Sequence, residues 1–247
     1  MRRLLLAALT LFACSKAPAP QAPAAPVSPY PNPADVVSQL TGIVVVGKGW
    51  RLDANPFYGM SLVEHGRPTF TSSERLIIGG AGAAFRYLAS EVSVGVTRTD
   101  CVADGVRFPL TATIDRPGKP QLSGCGFEQW DARARTAAKI ADACAPVGPM
   151  AQRITLFQIS GDGTMLVRLR GQAGGLDCRI LNGHLTRTPR DPLLKLGGEG
   201  ELDLIRASPA APADACIASN VTTDADGNLI GWLAPNDHKC RTRPLTP

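Results

Sequence analysis

The chain has 247 residues, 44% of them hydrophobic, and a formal charge of +5. That length accommodates one large domain or two ordinary ones, and the apolar fraction is enough to bury a core. The basic residues are scattered, with no run of about five like charges, so the composition gives no footprint for a nucleic-acid partner.

Arg2 and Arg3 precede an apolar run, Leu4 to Phe12, broken only by Thr10. A stable membrane-spanning helix needs about 20 apolar residues. The shorter run reads as a signal peptide over residues 1–13. Leu11-Phe12-Ala13-Cys14 resembles a bacterial lipobox, which implies that Cys14 becomes a lipidated N-terminus held in a membrane. Residues 14–40 then read as this cysteine and a Pro/Ala-rich spacer. Proline at nearly every third position between 15 and 33 favours extended polyproline II. Ser15, rather than aspartate, follows the cysteine. In Gram-negative lipoproteins that implies the outer membrane, with the folded part on its periplasmic face.

Residues 41–127 read as a small antiparallel sheet or barrel. Ile43 to Val46 is a β-branched run. Val92, Val94 and Val96 alternate with smaller or polar residues, and Phe108, Leu110 and Ala112 do so up to Ile114, the period of a half-buried strand. Gly79 to Gly82 reads as punctuation, and Pro117 to Pro120 as a turn before Gln121–Cys125. Residues 128–247 read as a helix followed by an antiparallel sheet. Trp130, Ala134, Ala137, Ala141 and Cys144 recur at helical spacing, with Asp131, Arg133, Arg135, Lys139 and Asp142 between them. Strands are predicted over 154–160, 165–170, 176–185, 202–205 and 229–233. The class is therefore α+β, mainly β.

Seven cysteines are present. Apart from Cys14 they number six, an even set suited to an oxidising compartment. Many pairings are open, and the simplest is sequential: Cys101 with Cys125, Cys144 with Cys178, Cys216 with Cys240.

Asn55-Pro56-Phe57-Tyr58, Cys101-Val102-Ala103-Asp104-Gly105, Phe108-Pro109-Leu110-Thr111-Ala112 and Gly124-Cys125 follow one another in the first region. Together they resemble an uncharacterised family of bacterial envelope putative lipoproteins, over about residues 42–127. Asn55, Tyr58 and Val106-Arg107 depart from that family's usual E-P-F-W and M-S residues. The resemblance implies an envelope location and favours pairing Cys101 with Cys125. Family members are sometimes fused to small β-domains of the lysozyme-inhibitor kind.

Few residues point to chemistry. His65, His184 and His238 are far apart and lack ligand spacing. The run Gly80 to Phe85 lacks the last glycine of a dinucleotide fingerprint. Asp224, Asp226 and Asn228 imitate a calcium loop, but Leu229 and Pro235 stand where glycine and glutamate are required. No metal, cofactor or catalytic set is expected. Trp50, Phe57, Tyr58 and Asp104 are candidates for a ligand groove. The expected function is a membrane-anchored, non-catalytic module binding an envelope protein or cell-wall component, in a narrower version an inhibitor of a wall-degrading hydrolase. The alternatives are an enzyme assembled from distant residues such as Asp104, His65 and Arg107, or a purely structural envelope-integrity protein.

Overall fold

The computed structural model describes residues 30, 32–37, 41–81, 84–145, 152–171, 174–206 and 221–235. Two antiparallel sheets dominate it, as an α+β, mainly β chain requires. The first region contains β1 (Ile43–Gly47), β2 (Trp50–Asn55), β3 (Gly59–Glu64), β4 (Phe70–Ser72), β5 (Ile77–Ala81), β6 (Ala84–Leu88) and β7 (Ser93–Thr97). It continues through β8 (Cys101–Ala103), β9 (Val106–Phe108), β10 (Leu110–Asp115) and β11 (Leu122–Glu128). Nine of these form one curled, open sheet in the order β4-β3-β2-β1-β11-β10-β7-β6-β5. Its inner face carries Ile43, Val45, Leu52, Val94, Val96, Leu110 and Ile114, which pack into one core.

The alternation in β7 and β10 is as expected, with the even-numbered residues of each strand inside. The single strand expected through Phe108 to Ile114 is divided at Pro109. Proline has no N–H to give to a ladder, so β9 ends there and pairs with β8 in a separate hairpin. Of the Gly79–Gly82 stretch read as punctuation, Gly82 lies outside the described residues. Gly79, Gly80 and Ala81 lie inside β5, an edge strand in which Gly80 takes φ 83°.

The second sheet contains β12 (Arg153–Ile159), β13 (Met165–Gly171), β14 (Gly174–Leu181), β15 (His184–Pro189), β16 (Leu202–Arg206), β17 (Val221–Thr223) and β18 (Leu229–Pro235). Its order is β15-β14-β13-β12-β16-β18-β17. The predicted strand 176–185 is two strands, β14 and β15. They turn at Asn182-Gly183, both with positive φ (50° and 75°), the residue pair best suited to such a hairpin.

Two helices are described, α1 (Pro33–Val37) and α2 (Ala134–Cys144). The helix predicted from Trp130 starts with a 3-10 turn at Asp131–Arg133 and becomes α-helical only from Ala134. Its apolar stripe, Ala134, Ala137, Ala141 and Cys144 with Ile140, packs on one face of the second sheet against Ile154, Val167 and Ile180. Arg133 is buried rather than part of a solvated face.

Of residues 14–40, read as a lipidated cysteine and spacer, only residues 30 and 32–37 are described, and they do not stand apart from the folded part. Val36 is 2% exposed and lies in the core of the second sheet, with Tyr30 packed against it. The chain thus enters the second unit, builds the first, and returns to complete the second.

Among the described residues two disulfides are present. Cys101–Cys125 ties the β8–β9 hairpin to β11, and Cys144–Cys178 ties the end of α2 to β14. Cys14, Cys216 and Cys240, with the predicted third bridge, lie outside the described residues. Replacing Cys144 and Cys178 together with serine is expected to cost about 3–4 kcal/mol, the chain-entropy value for loops of this size. Urea denaturation measures it, and an unchanged midpoint would contradict the expectation.

The loop 190–200 joins the two sheets. One side covers the face of the second sheet opposite α2, where Leu156, Leu166 and Leu196 form a small apolar cluster. Beneath it Arg168, which alternates with Val167 and Leu169 along β13, is 0% exposed. Nε and Nη2 of Arg168 donate to both oxygens of Asp177 (2.8 and 3.0 Å), and Nη1 donates to Glu199 (2.7 Å). The other side of the loop meets the first unit. The Arg107 N–H donates to the Lys195 carbonyl (3.0 Å), and the Gly197 N–H donates to the Arg107 carbonyl (2.7 Å).

Gly198 has φ 83°, and a Cβ there would fall 2.6 Å from the Phe127 ring. Gly198→Ala is therefore expected to lower stability by about 1–3 kcal/mol, through backbone strain and overpacking together. Thermal unfolding checks this.

A candidate binding cavity between the two sheets

The outer face of the first sheet presents Val44 on β1, Arg51 on β2 and Phe127 on β11. The segment after β11 adds Gln129, Trp130 and Asp131, and the second unit adds Gly198, Glu201 and Leu202. These residues enclose a cavity of about 230 Å3. Val44, Phe127 and Leu202 supply apolar wall. Cavities at the junction of two units, mainly apolar with a few fixed polar groups, are common ligand sites.

The polar groups are held in place. Nε and Nη2 of Arg51 donate to the two oxygens of Asp53, both at 2.9 Å, and Nη1 reaches Glu201 across the junction at 3.3 Å. Hydrogen bonding to Asp53 holds the Arg51 guanidinium well above its ordinary pKa, so it stays charged. Gln129 receives a hydrogen bond from Asn55 (3.4 Å) and donates its own N–H to the Gly42 carbonyl (2.8 Å). Trp130 is 3% exposed, and among the described residues its indole N–H has no acceptor. A buried donor left unpaired costs free energy and calls for an explanation.

Next to the cavity a buried ion cluster locks the junction. The Glu128 carboxylate accepts from Arg98 (2.5 and 2.7 Å), from Arg133 (3.0 and 3.1 Å) and from Thr41 (3.2 Å). Burial alone would raise the Glu128 pKa, but the two arginines outweigh it and hold the carboxyl below its ordinary value. Tyr87 donates to the Thr41 carbonyl (2.7 Å), and burial pushes its hydroxyl pKa up.

The residues expected to form a groove are not brought together. Trp50 closes one end of the first core: a Cβ on Gly47 would fall 2.2 Å from its indole. Phe57 and Tyr58 sit in the turn at the other end of β2, and Tyr58 is 82% exposed. A six-residue strand separates them, about 17 Å of chain. Asp104 occupies the β8–β9 turn with φ 50°. Among the described residues no hydrogen bond or ion pair joins Asp104, His65 and Arg107. Arg107 instead faces Asp100 at 3.9 Å, and the His65 backbone N–H donates to Gly49. His238 lies outside the described residues.

Asp224 shapes the β17–β18 turn, accepting from the Asp226 and Asn228 backbone N–H groups and the Asn228 amide. Those bonds, led by the Asn228 side chain, lower its pKa. Among the described residues no three His, Cys, Asp or Glu side chains come close enough to hold a metal.

A second, more open hollow of about 420 Å3 lies on the outer face of β5, β6, β7 and β10. Its lining includes Gly79, Gly95, Arg86, Thr97, Thr111 and Thr113.

Sequence reasoning missed the first cavity. Trp130 read only as one apolar position of a helix, and nothing local shows that residues 198–202 return to it. No family model, curated protein or solved structure matches the chain.

Proposed function

We propose that the chain is a lipid-tethered, non-catalytic binding module of a bacterial envelope, held at the periplasmic face of the outer membrane. Its partner is a cell-wall component or an envelope protein. The N-terminal Arg2-Arg3, the Leu4–Phe12 run and Cys14 support the tether. The two disulfides suit an oxidising compartment. The observation that carries the reading is the cavity at the junction, whose polar walls are immobilised before any ligand arrives. The titration-shifted side chains Glu128, Glu64 and Arg168 are engaged in ion pairs that join strands and loops, which is structural use of charge. A tethered module searches a surface at high effective concentration, so modest affinity suffices.

The test is co-sedimentation of the full chain with purified cell wall, beside capture of detergent-solubilised envelope proteins. Saturable sedimentation, or one reproducible captured protein, supports the module. Failure of both overturns it. For the narrower reading, the purified chain in micromolar excess is expected to slow a wall-degrading muramidase, and unchanged hydrolysis removes that version.

A further inference from the structure

We propose that the turn at residues 56–58 dips Phe57 and Tyr58 into the head-group layer of the membrane that holds the tether. This rests on the lipid tether of the binding-module reading and adds a second point of contact to it.

Among the described residues the exposed aromatic side chains are these two neighbours, Phe57 at 56% and Tyr58 at 82%. Arg75 lies over the Phe57 ring, its Cζ 5.9 Å from the centroid. The Leu76 N–H donates to the Pro56 carbonyl (3.3 Å), so the start of β5, with exposed Ile77, adjoins the same turn. The turn is set in advance. The Phe57 N–H donates to Asn55 Oδ1 (3.0 Å), and a Cβ on Gly59 would fall 1.9 Å from the Ser72 carbonyl oxygen. Little backbone freedom is therefore lost when the rings are bound.

Three observations name the occupant. Two aromatic side chains bury about 300–500 Å2, below the ~800 Å2 per partner of a standard protein interface. Phenylalanine, tyrosine, isoleucine and an arginine suit the head-group level of a bilayer, where apolar bodies point inward and polar tips stay in water. The third is reach. The stretch from Cys14 to Tyr30 spans about 50 Å at full extension, and a folded unit of about 200 residues is roughly 40 Å across. The turn also sits where the chain enters and leaves the first sheet, since Ala54 pairs with Ile43 and Asn55 donates to Gln129. The tether is thus long enough to let this turn touch the membrane. Glu74, beside Arg75, accepts from the Ser90 N–H and hydroxyl (3.2 and 3.0 Å). With one cation and one carboxylate next to each other, the contact is chiefly apolar and depends little on lipid charge.

The experiment is co-sedimentation of the mature chain, residues 14–247, with vesicles of phosphatidylethanolamine and phosphatidylglycerol. Cys14→Ser is included so that no acyl chain contributes. Saturable binding is expected, changing little between low and high salt. It is expected to weaken at least about tenfold in Phe57→Ser/Tyr58→Ser and severalfold in Tyr58→Ser alone. Both side chains are exposed, so both variants are expected to keep the parent's melting temperature.

A parent chain that stays in the supernatant at every lipid concentration overturns the proposal. So does equal binding by the parent and the double variant. Loss of a captured envelope protein in the double variant, without vesicle binding by the parent, reassigns the turn to a protein contact and overturns the membrane site. Cell-wall sedimentation and envelope capture separate the two levels. Where the parent succeeds in either and does not bind vesicles, the module stands and the membrane contact alone is removed. Failure of the parent in both removes the module itself.

Discussion

Arg168→Met is expected to destabilise the protein by about 3–5 kcal/mol, the cost of breaking a buried ion pair from one side. The methionine fills much of the arginine's volume, so the loss is chiefly electrostatic. The Asp177 side chain is buried, and removal of the guanidinium takes away both of its short hydrogen bonds as well as one from Glu199. The Leu194 carbonyl, which accepts from the same arginine at 3.2 Å, loses its donor too. The loop 190–200 is therefore expected to loosen over the second sheet, and the contacts of Leu196 and Gly197 with β9 to loosen with it. Urea denaturation gives the magnitude. Hydrogen exchange at the Gly197 amide reports the loop. A combined Arg168→Met, Asp177→Leu and Glu199→Gln variant is expected to recover most of the loss, since a buried pair replaced by apolar groups is often neutral. A single variant as stable as the parent would show that the cluster contributes nothing.

Glu128→Gln is the second large effect, again about 3–5 kcal/mol. The amide keeps the shape of the carboxylate but leaves Arg98 and Arg133 without the charge both now face in the interior. The pH dependence follows from the same group. The folded-state pKa of Glu128 lies below that of an unfolded glutamate, about 4.3. Its stabilisation is complete above that value and disappears as the pH falls through the folded pKa. Glu64, hydrogen-bonded to Arg116 and lowered likewise, acts in the same direction. The parent protein is therefore expected to lose stability steeply below about pH 4, and Glu128→Gln to lose less over that interval. Denaturation midpoints measured from neutral to acid pH for both proteins test the sign. Parallel curves would remove Glu128 as a source of the acid sensitivity.

Much of this fold is written in local patterns. The inside-outside alternation of β7 and β10 and the small-residue stripe of α2 can be read directly, because each depends on one element and its core face. The tight turn at Asn182-Gly183 carried its own signal within what looked like a single long strand. Arg168 is different. Its place between Val167 and Leu169 marks only which side of β13 it occupies. That this side is covered by a loop some 30 positions later, and that Asp177 is its partner on the adjoining strand, depends on register and tertiary packing. The sequential pairing that made Cys101–Cys125 and Cys144–Cys178 simplest is the one present in both cases. The candidate site was the least legible part. Aromatic residues close in sequence, Trp50, Phe57 and Tyr58, suggested a groove, yet a strand separates their ends. The cavity gathers residues from three distant stretches, around 44–51, 127–131 and 198–202.

The docking of Tyr30 and Val36 in the second core, ahead of the first sheet, bears on how the molecule carries a mechanical load. A pull applied through the N-terminus meets Val36 and Tyr30 before it reaches β1. This short docked segment is in series with the rest of the chain, and Tyr30 and Val36 are its members in the core, against whole strands in either sheet. It is expected to yield first, releasing about 25 Å of slack at full extension, while the strands of both sheets remain paired. The first sheet and the junction cavity are thereby expected to stay intact under a load that undocks only this segment.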